Sequence, residues 1–162
     1  MQIRPARPDE AEVLAGIAVR AKAHWGYPAA FIARFARSLG LTPEVVTAND
    51  VWVAERASVV VGFYSLLHRG ELTVLDDLWL EPEEIGRGLG RWLFEHARDR
   101  AAAAGAEVLE WEAEPYAVGF YERMGGHRVR MADSSLGRKL PVMQLALGAV
   151  RTGKPAAGPP AL

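Results

Sequence analysis

Apolar residues in the early part of the chain recur at helical spacing, which predicts two amphipathic helices. The first helix covers 8–22, and the second covers 28–39 and stops at Gly40. A further short helical turn is favoured at 42–44, where Thr precedes Pro and Glu. The apolar face of the first helix comprises Val13, Leu14, Ile17, Ala18 and Ala21.

The hydrophobic period changes from Asp50 onward and becomes typical of strands. Three segments rich in β-branched, aromatic and aliphatic residues, 51–55, 59–67 and 71–80, are separated by turn-length breaks. This pattern predicts an antiparallel meander. A short strand at 2–4 precedes the first helix.

Helices and strands alternate in the rest of the chain. A glycine-rich loop, 85–90, opens a helix that ends near Ala104 and whose inner stripe comprises Leu89, Leu93, Ala97 and Ala101. Further elements are predicted in the order strand 108–112, helix 115–124, strand 127–131 and strand 141–147, the last of which closes the sheet. We therefore expect one domain over 1–147, followed by a flexible Gly/Pro/Ala tail at 148–162.

Composition narrows the functional classes. The chain has 162 residues, with 19 Lys+Arg against 20 Asp+Glu, and 50% of its residues are hydrophobic. A net charge of -1 argues against a general nucleic-acid binder, and the hydrophobic content is sufficient for a core. The N-terminus lacks the pattern of a signal peptide, and the longest apolar run, 59–67, is too short to cross a membrane. We expect a soluble cytoplasmic protein without a membrane partner.

The glycine-rich loop Ile-Gly-Arg-Gly-Leu-Gly carries the clearest local chemistry. Its glycines let the backbone approach a ligand, and it leads into a helix N-terminus, where free N–H groups favour an anion such as pyrophosphate. A tight strand–helix turn without a ligand is the alternative interpretation. The chain has no Gly-x-x-x-x-Gly-Lys-Ser/Thr motif. The Gly-x-Gly-x-Gly spacing and the preceding meander also argue against a dinucleotide-binding fold.

Two ordered motifs resemble the GCN5-related N-acetyltransferase (GNAT) superfamily. The stretch 75–97 is similar to the family's fourth strand, loop and third helix, and 117–126 is similar to its Ala-x-x-Phe-Tyr-x-x-x-Gly-Phe motif. The resemblance implies an α/β (α+β) fold: a mixed, mostly antiparallel sheet of six to seven strands, about four helices, and splayed fourth and fifth strands. The chain departs from the family pattern at Ile85, Glu114 and Gly126.

The resemblance also implies acetyl-CoA as the co-substrate. Backbone N–H groups from Gly86 to Arg91 would hold the pyrophosphate, with Arg87 and Arg91 adding charge-assisted contacts. A backbone N–H near Leu78 or Leu80 would polarise the thioester carbonyl. The residues implied in cofactor binding are Leu78, Leu80, Gly86, Arg87, Gly88, Leu89, Gly90 and Arg91.

A general base is required because an amine attacks only in its neutral form. The candidate carboxylates are Asp76, Asp77, Glu110 and Glu112. Strand alternation places Asp76 and Asp77 on opposite faces, so one of them is expected to lie outside the site. We favour Glu112 or Asp76, and the sequence does not separate them.

Tyr121 matches the family tyrosine that protonates the departing thiolate, and a phenol with a pKa of about 10 is suited to that role. Since the chain has no cysteine, we expect direct transfer of the acetyl group rather than an acetyl-cysteine intermediate. The alternative for Tyr121 is a packing role beside Phe120.

The resemblance implies an acceptor site between the first two helices, where His24, Trp25 and Tyr27 lie. These residues would shape a pocket for an amine, although Trp25 and Tyr27 would serve equally well to seal the helix junction. The four histidines lack metal-ligand spacing, so no metal is expected. The hypothesis is an acetyl-CoA-dependent N-acetyltransferase acting on a small-molecule or peptide amine; the alternative is a non-catalytic acyl-CoA-binding module. A homodimer formed through the last strand and the tail is a third hypothesis.

Overall fold

The computed structural model describes residues 1–148, and within them one mixed sheet of seven strands carries the fold. The tail predicted after Gly148 lies outside the described residues. The spatial order of the strands is β1-β2-β3-β4-β5-β7-β6. In chain order they are β1 (Gln2–Pro5), β2 (Asp50–Arg56), β3 (Val59–Arg69), β4 (Leu72–Leu80), β5 (Val108–Glu112), β6 (His127–Asp133) and β7 (Lys139–Ala146).

The predicted meander is confirmed, because β1 to β4 pair as antiparallel neighbours. β4 and β5 then pair in parallel, with the long α4 helix between them in the chain. The prediction that the last strand closes the sheet is wrong, since β7 inserts between β5 and β6. Burial explains this order: Val142 and Met143 of β7 are fully buried, whereas β6 is almost wholly exposed and forms the edge.

Five α-helices occur in the described residues, one more than the predicted number of about four. They are α1 (Ala11–His24), α2 (Ala29–Ser38), α3 (Pro43–Ala48), α4 (Leu89–Ala103) and α5 (Val118–Arg123). The additional helix is α3, which develops from the predicted short turn. Pro43 begins it, and the Thr42 hydroxyl accepts a hydrogen bond from Val45 N–H at 3.3 Å.

The helices cover both faces of the sheet. Consecutive residues of β3 point to opposite faces, so Tyr64 packs in the cluster beneath α4 and Phe63 packs in the cluster beneath α1 and α2. The predicted inner stripe of α4 is confirmed, with all four residues buried. The apolar face predicted for α1 is wrong at Val13, which is 47% exposed.

None of the described helices is long and apolar enough to span a bilayer. The candidate site lies where the parallel strands β4 and β5 separate.

Candidate active site

β4 and β5 diverge after a short parallel ladder. Only three residue pairs join them, from Leu72 opposite Val108 to Val74 opposite Glu110. β4 then continues to Leu80 without a partner on that side among the described residues. The predicted splay is therefore confirmed, and it opens a cleft of about 1050 Å³.

The free edge of β4 presents backbone donors to this cleft. Glu81 N–H donates to Val61 C=O of β3 at 2.9 Å. Because N–H groups alternate sides along a strand, Trp79 also faces β3, whereas the N–H groups of Leu78 and Leu80 face the gap. Both leucines line the cleft, as the prediction of an oxyanion donor requires.

The glycine loop holds a backbone conformation that other residues adopt only with strain. Gly86 has φ 78° and Gly88 has φ 88°, and a Cβ on either would meet no atom within 4 Å. The need for glycine there is thus conformational rather than steric. At Gly90, in the first turn of α4, a Cβ would instead meet Leu80 at 3.4 Å and Phe120 at 3.5 Å.

Free N–H groups at this turn form an anion cradle. The first helical bond of α4 runs from Trp92 N–H to Gly88 C=O, which leaves the N–H groups of the preceding residues, 89–91, without helical partners. Arg87 N–H is already donated to Glu84 C=O at 3.3 Å. Glycines and unpaired donors at a helix N-terminus favour an anionic ligand.

The two arginines predicted for the phosphates are placed differently. Arg91 lines the cleft, whereas Arg87 is exposed and lies outside its lining. Leu89 is buried in the core, so only its backbone is available to a ligand. Arg98 and Arg123 also line the cleft. The sequence signal for Arg98 was its spacing of seven residues from Arg91 on one helix face.

A β-bulge overturns the expectation that Asp76 and Asp77 occupy opposite faces. Ser65 of β3 lies opposite Asp77, but the next residue, Leu66, lies opposite Leu75, so Asp76 is the extra residue. A bulge breaks the alternation of side chains. Both aspartates consequently line the cleft.

The Asp77 carboxyl group has a pKa well above its ordinary value. Its Oδ1 accepts a hydrogen bond from Trp79 Nε1 at 3.0 Å. Removal from water, aided by the neighbouring Asp76 carboxylate, raises the pKa of Asp77 to about 7, although the indole hydrogen bond opposes this shift. The sequence argument had favoured Asp76 or Glu112 over this residue.

The glutamates of β5 separate into two environments. Glu112 is exposed and lines the cleft. Glu110 instead accepts hydrogen bonds from Arg130 at 2.9 Å and from Gln144 at 2.7 Å, and it lies outside the cleft lining. The bond with Arg130, more than any other influence, lowers the pKa of Glu110.

Tyr121 both packs in the core and borders the cleft. Its ring lies against Trp111 and Phe120, with centroid distances of 5.0 Å and 5.1 Å, and only 7% of the residue is exposed. Burial, with a smaller contribution from the Glu114 carboxylate, raises the pKa of Tyr121 above its ordinary value. The phenol therefore stays protonated at neutral pH.

The opposite end of the cleft is built around a buried ion pair that sequence reasoning missed. Lys22 Nζ of α1 donates to Glu114, which also accepts from the Tyr27 hydroxyl. The side chains of Lys22 and Glu114 are only 6% and 8% exposed. Burial lowers the pKa of Lys22, while the bond to Glu114 opposes that shift.

Aromatic rings surround this ion pair. Lys22 Nζ lies 5.0 Å from the Tyr27 ring centroid, 5.2 Å from that of Phe35 and 5.9 Å from that of Trp79. Such contacts stabilise a cation that has lost its water. The available sequence signal was the position of Lys22, which continues the apolar row of Leu14 and Ala18 at intervals of four.

The three residues predicted for the acceptor are not equivalent. Trp25 lines the cleft and stacks on Tyr116 with a centroid distance of 5.4 Å. The Tyr27 hydroxyl donates a hydrogen bond to Glu114. Burial of Tyr27 raises the pKa of its hydroxyl to about 12. His24 is exposed and lies outside the cleft lining. No cluster of three or more potential metal ligands occurs within residues 1–148.

Comparisons with known proteins agree with this architecture. Residues 47–125 match the model of the acetyltransferase (GNAT) domain. The chain is 32% identical over 107 residues to the peptidyl-lysine N-acetyltransferase YjaB of Salmonella typhimurium, a match covering 65% of this chain and 70% of that protein.

Solved structures share the fold. The GCN5-related N-acetyltransferase structure from Rhodopseudomonas palustris superposes with a TM-score of 0.77 at 23% identity, covering 90% of this chain and 95% of the other. The PaiA N-acetyltransferase of Thermoplasma acidophilum, in complex with coenzyme A, gives 0.74 at 17% identity, covering 90% and 98%. The 32% identity to the Salmonella relative and the match of 47–125 to the GNAT domain model show that the chain belongs to the GCN5-related N-acetyltransferase superfamily.

Proposed function

We propose that this protein transfers an acetyl group from acetyl-CoA to a primary amine of a small molecule or peptide. One observation carries the proposal: the anion cradle, the free edge of β4, Asp77 and Tyr121 all border the same cleft. The name of the Salmonella relative, a peptidyl-lysine N-acetyltransferase, supports an amine as the acceptor.

The chain's own residues provide binding and proton transfer. Gly86, Gly88 and the N–H groups of 89–91 hold the pyrophosphate, with Arg91 beside them. Leu78 and Leu80 offer N–H groups to the acyl carbonyl. Acetyl-CoA supplies the activated acetyl group.

Proton transfer is assigned to Asp77 and Tyr121. The amine nitrogen bonds to the acetyl carbon as the carbon–sulfur bond breaks, Asp77 takes the amine proton, and Tyr121 protonates the sulfur. Asp77 replaces Glu112 and Asp76 as the favoured base, because a pKa near 7 suits proton removal at neutral pH. Since the chain has no cysteine, the acetyl group moves directly to the amine.

The test is acetylation of an amine panel, read out as free CoA, with Tyr121→Phe compared against Tyr64→Phe. Both variants keep the ring of a buried tyrosine, but Tyr64 lies outside the cleft lining and its hydroxyl is 2.6 Å from His96 Nδ1. We expect kcat to fall about 100-fold in Tyr121→Phe and to change little in Tyr64→Phe. Equal kcat values for wild type and Tyr121→Phe would remove the acid role from Tyr121.

A measurement of CoA binding, combined with the activity assay, distinguishes an acetyltransferase from a non-catalytic acyl-CoA-binding module. Ile85 offers no charged contact to the phosphates, so affinity rests on the backbone cradle and the nearby arginines. Calorimetry should show CoA binding to the wild type. Binding without turnover on any amine would support a non-catalytic acyl-CoA-binding module, and absence of binding would contradict both functions.

A further inference from the structure

Three buried side-chain polar atoms in the described residues lack hydrogen-bond partners, namely Trp111 Nε1, Ser134 Oγ and Arg138 Nη2, and all three residues line the cleft. Buried polar groups are nearly always paired, so such atoms call for an explanation. Ser134 and Arg138 both belong to the turn between β6 and β7, whereas Trp111 lies on β5.

The turn places these side chains together. Ser134 N–H donates to Arg138 C=O at 2.8 Å, and Gly137 N–H donates to Ser134 C=O at 3.1 Å. Residues directly opposite across an antiparallel pair extend on the same face. The backbone pairing thus holds Ser134 and Arg138 opposite each other, and both residues line the cleft.

Aromatic rings and one carboxylate surround the Arg138 guanidinium. It lies 4.7 Å from the Tyr27 ring centroid and 5.1 Å from that of Phe31. Arg138 Nη2 forms an ion pair with Glu114 at 3.7 Å, beyond hydrogen-bond range. Lys22 and the Tyr27 hydroxyl already donate to that carboxylate. Two basic side chains, Lys22 and Arg138, therefore share the single carboxylate of Glu114.

The other wall of the cleft carries two carboxyl groups. The gap lies between β4 and β5, so Asp76 and Asp77 on β4 face it from one side. The β6–β7 turn, which carries Arg138, approaches it from the other side. An acceptor with an amine and a carboxylate would match both walls, its amine near Asp77 and its carboxylate near Arg138.

We propose that Ser134 and Arg138 form a carboxylate subsite, so that the acceptor is a free amino acid rather than a simple amine or a peptide lysine. Arginine donates to a carboxylate through two N–H groups, and the serine hydroxyl supplies another donor. The stacked Trp25 and Tyr116 lie at the same end and favour an aromatic or long apolar side chain on the amino acid. This inference rests on the proposed function.

Matched acceptors test the carboxylate directly. Tryptophan is compared with tryptamine and phenylalanine with phenethylamine, since each pair differs only in the carboxylate. We expect kcat/KM for the amino acid to exceed that for the amine at least about 10-fold, in keeping with a charge-assisted hydrogen bond. Equal values, or a preference for lysine within a peptide, would overturn the subsite.

Variants in the β6–β7 turn test whether Ser134 and Arg138 cause the preference for a carboxylate-bearing acceptor. Arg138→Gln should raise KM for the amino acid about 10-fold or more and leave the amine unchanged, whereas Arg138→Lys should restore part of the preference. Ser134→Ala should have a smaller effect in the same direction. Arg128→Gln is the control, because Arg128 is exposed on β6 and lies outside the cleft lining. A similar loss for both acceptors in Arg138→Gln would contradict carboxylate recognition.

A binding measurement distinguishes failure of this inference from failure of the proposed function. Calorimetry with N-acetyltryptophan and N-acetyltryptamine, with and without CoA, requires no turnover. Tighter binding of the carboxylate-bearing ligand to wild type, lost in Arg138→Gln, would support the subsite even in a protein that transfers no acetyl group. Equal binding of the two ligands would overturn it, and acetylation of simple amines would then leave the proposed function standing.

Discussion

The two ends of the cleft are built in contrasting ways. At the proposed cofactor end, a continuous segment from Leu78 to Arg91 provides the strand edge, the glycine loop and the helix start. At the proposed acceptor end, Lys22, Glu114 and Arg138 come from three separate parts of the chain. The first end uses mainly backbone groups, and the second uses charged side chains.

This contrast indicates how each end tolerates change. A backbone cradle depends on local conformation, so it survives the replacement of side chains such as Ile85. A buried ion pair such as Lys22–Glu114 depends on both members, because removing one leaves the other without compensation. The cofactor end should therefore resist side-chain substitutions that the acceptor end does not.

The largest expected effect is on stability at the acceptor end. Glu114→Ala leaves Lys22 buried without its carboxylate, and we expect the free energy of unfolding to fall by about 3–5 kcal/mol. Urea denaturation measures this change. Glu122→Ala is the control, since Glu122 is exposed on α5. The double variant Lys22→Met with Glu114→Gln should recover most of the lost stability. An equal loss of stability in Glu114→Ala and in Glu122→Ala would show that the buried ion pair does not stabilise the fold.

Asp77→Asn should lower kcat about 100-fold by removing the base. Wild-type activity should rise with pH through about 7 as Asp77 loses its proton, and the variant should lack that rise. Glu112→Gln, at the other candidate base, should retain most activity. A greater loss in Glu112→Gln than in Asp77→Asn would return the role to Glu112.

The variant Asp77→Asn should also change the pH dependence of stability. The raised pKa of Asp77 means that the folded protein binds this proton more tightly than the unfolded chain, whose aspartate has a pKa near its ordinary 3.8. This group's contribution to stability therefore declines as pH rises from about 4 to 7. Asp77→Asn lacks that decline, so its Tm at pH 8 should exceed that of wild type. A lower Tm at pH 8 would contradict the raised pKa.

A smaller effect is expected at the glycine loop. Gly88→Ala forces an L-residue to φ 88° and should cost about 1–2 kcal/mol of stability while weakening CoA binding. Gly105→Ala, at φ 91° after α4, should cost similar stability with CoA affinity unchanged. Thermal unfolding and calorimetry measure the two quantities; unchanged affinity in Gly88→Ala would argue against the cradle.

The smallest effect distinguishes the two loop arginines. Arg91→Gln should weaken CoA binding about 2- to 5-fold, because Arg91 lines the cleft but is largely solvated. Arg87→Gln should leave the affinity unchanged, since Arg87 lies outside the cleft lining. Equal losses in the two variants would indicate that both side chains reach the phosphates.

Local patterns accounted for most of the secondary structure and for the cofactor end. The inner stripe of α4 and the glycine loop could be interpreted from sequence because residues close in the chain define each of them. The alternation argument was wrong at Asp76 and Asp77, since the bulge depends on pairing with β3. The prediction that Val13 lies on the buried face of α1 was wrong, because periodicity places a residue near an apolar face without fixing its distance from a neighbouring element.

The sequence by itself determined the order of the elements along the chain and the glycine loop before α4, and its lack of cysteine excludes an acetyl-cysteine intermediate. Only the tertiary structure paired Lys22 with Glu114, 92 residues apart, and opened Ser134 and Arg138 toward the cleft. The physical reason is the distance along the chain between the residues that determine each feature. Backbone conformation depends on adjacent residues, whereas the pairing of buried charges depends on which distant segments the fold brings into contact.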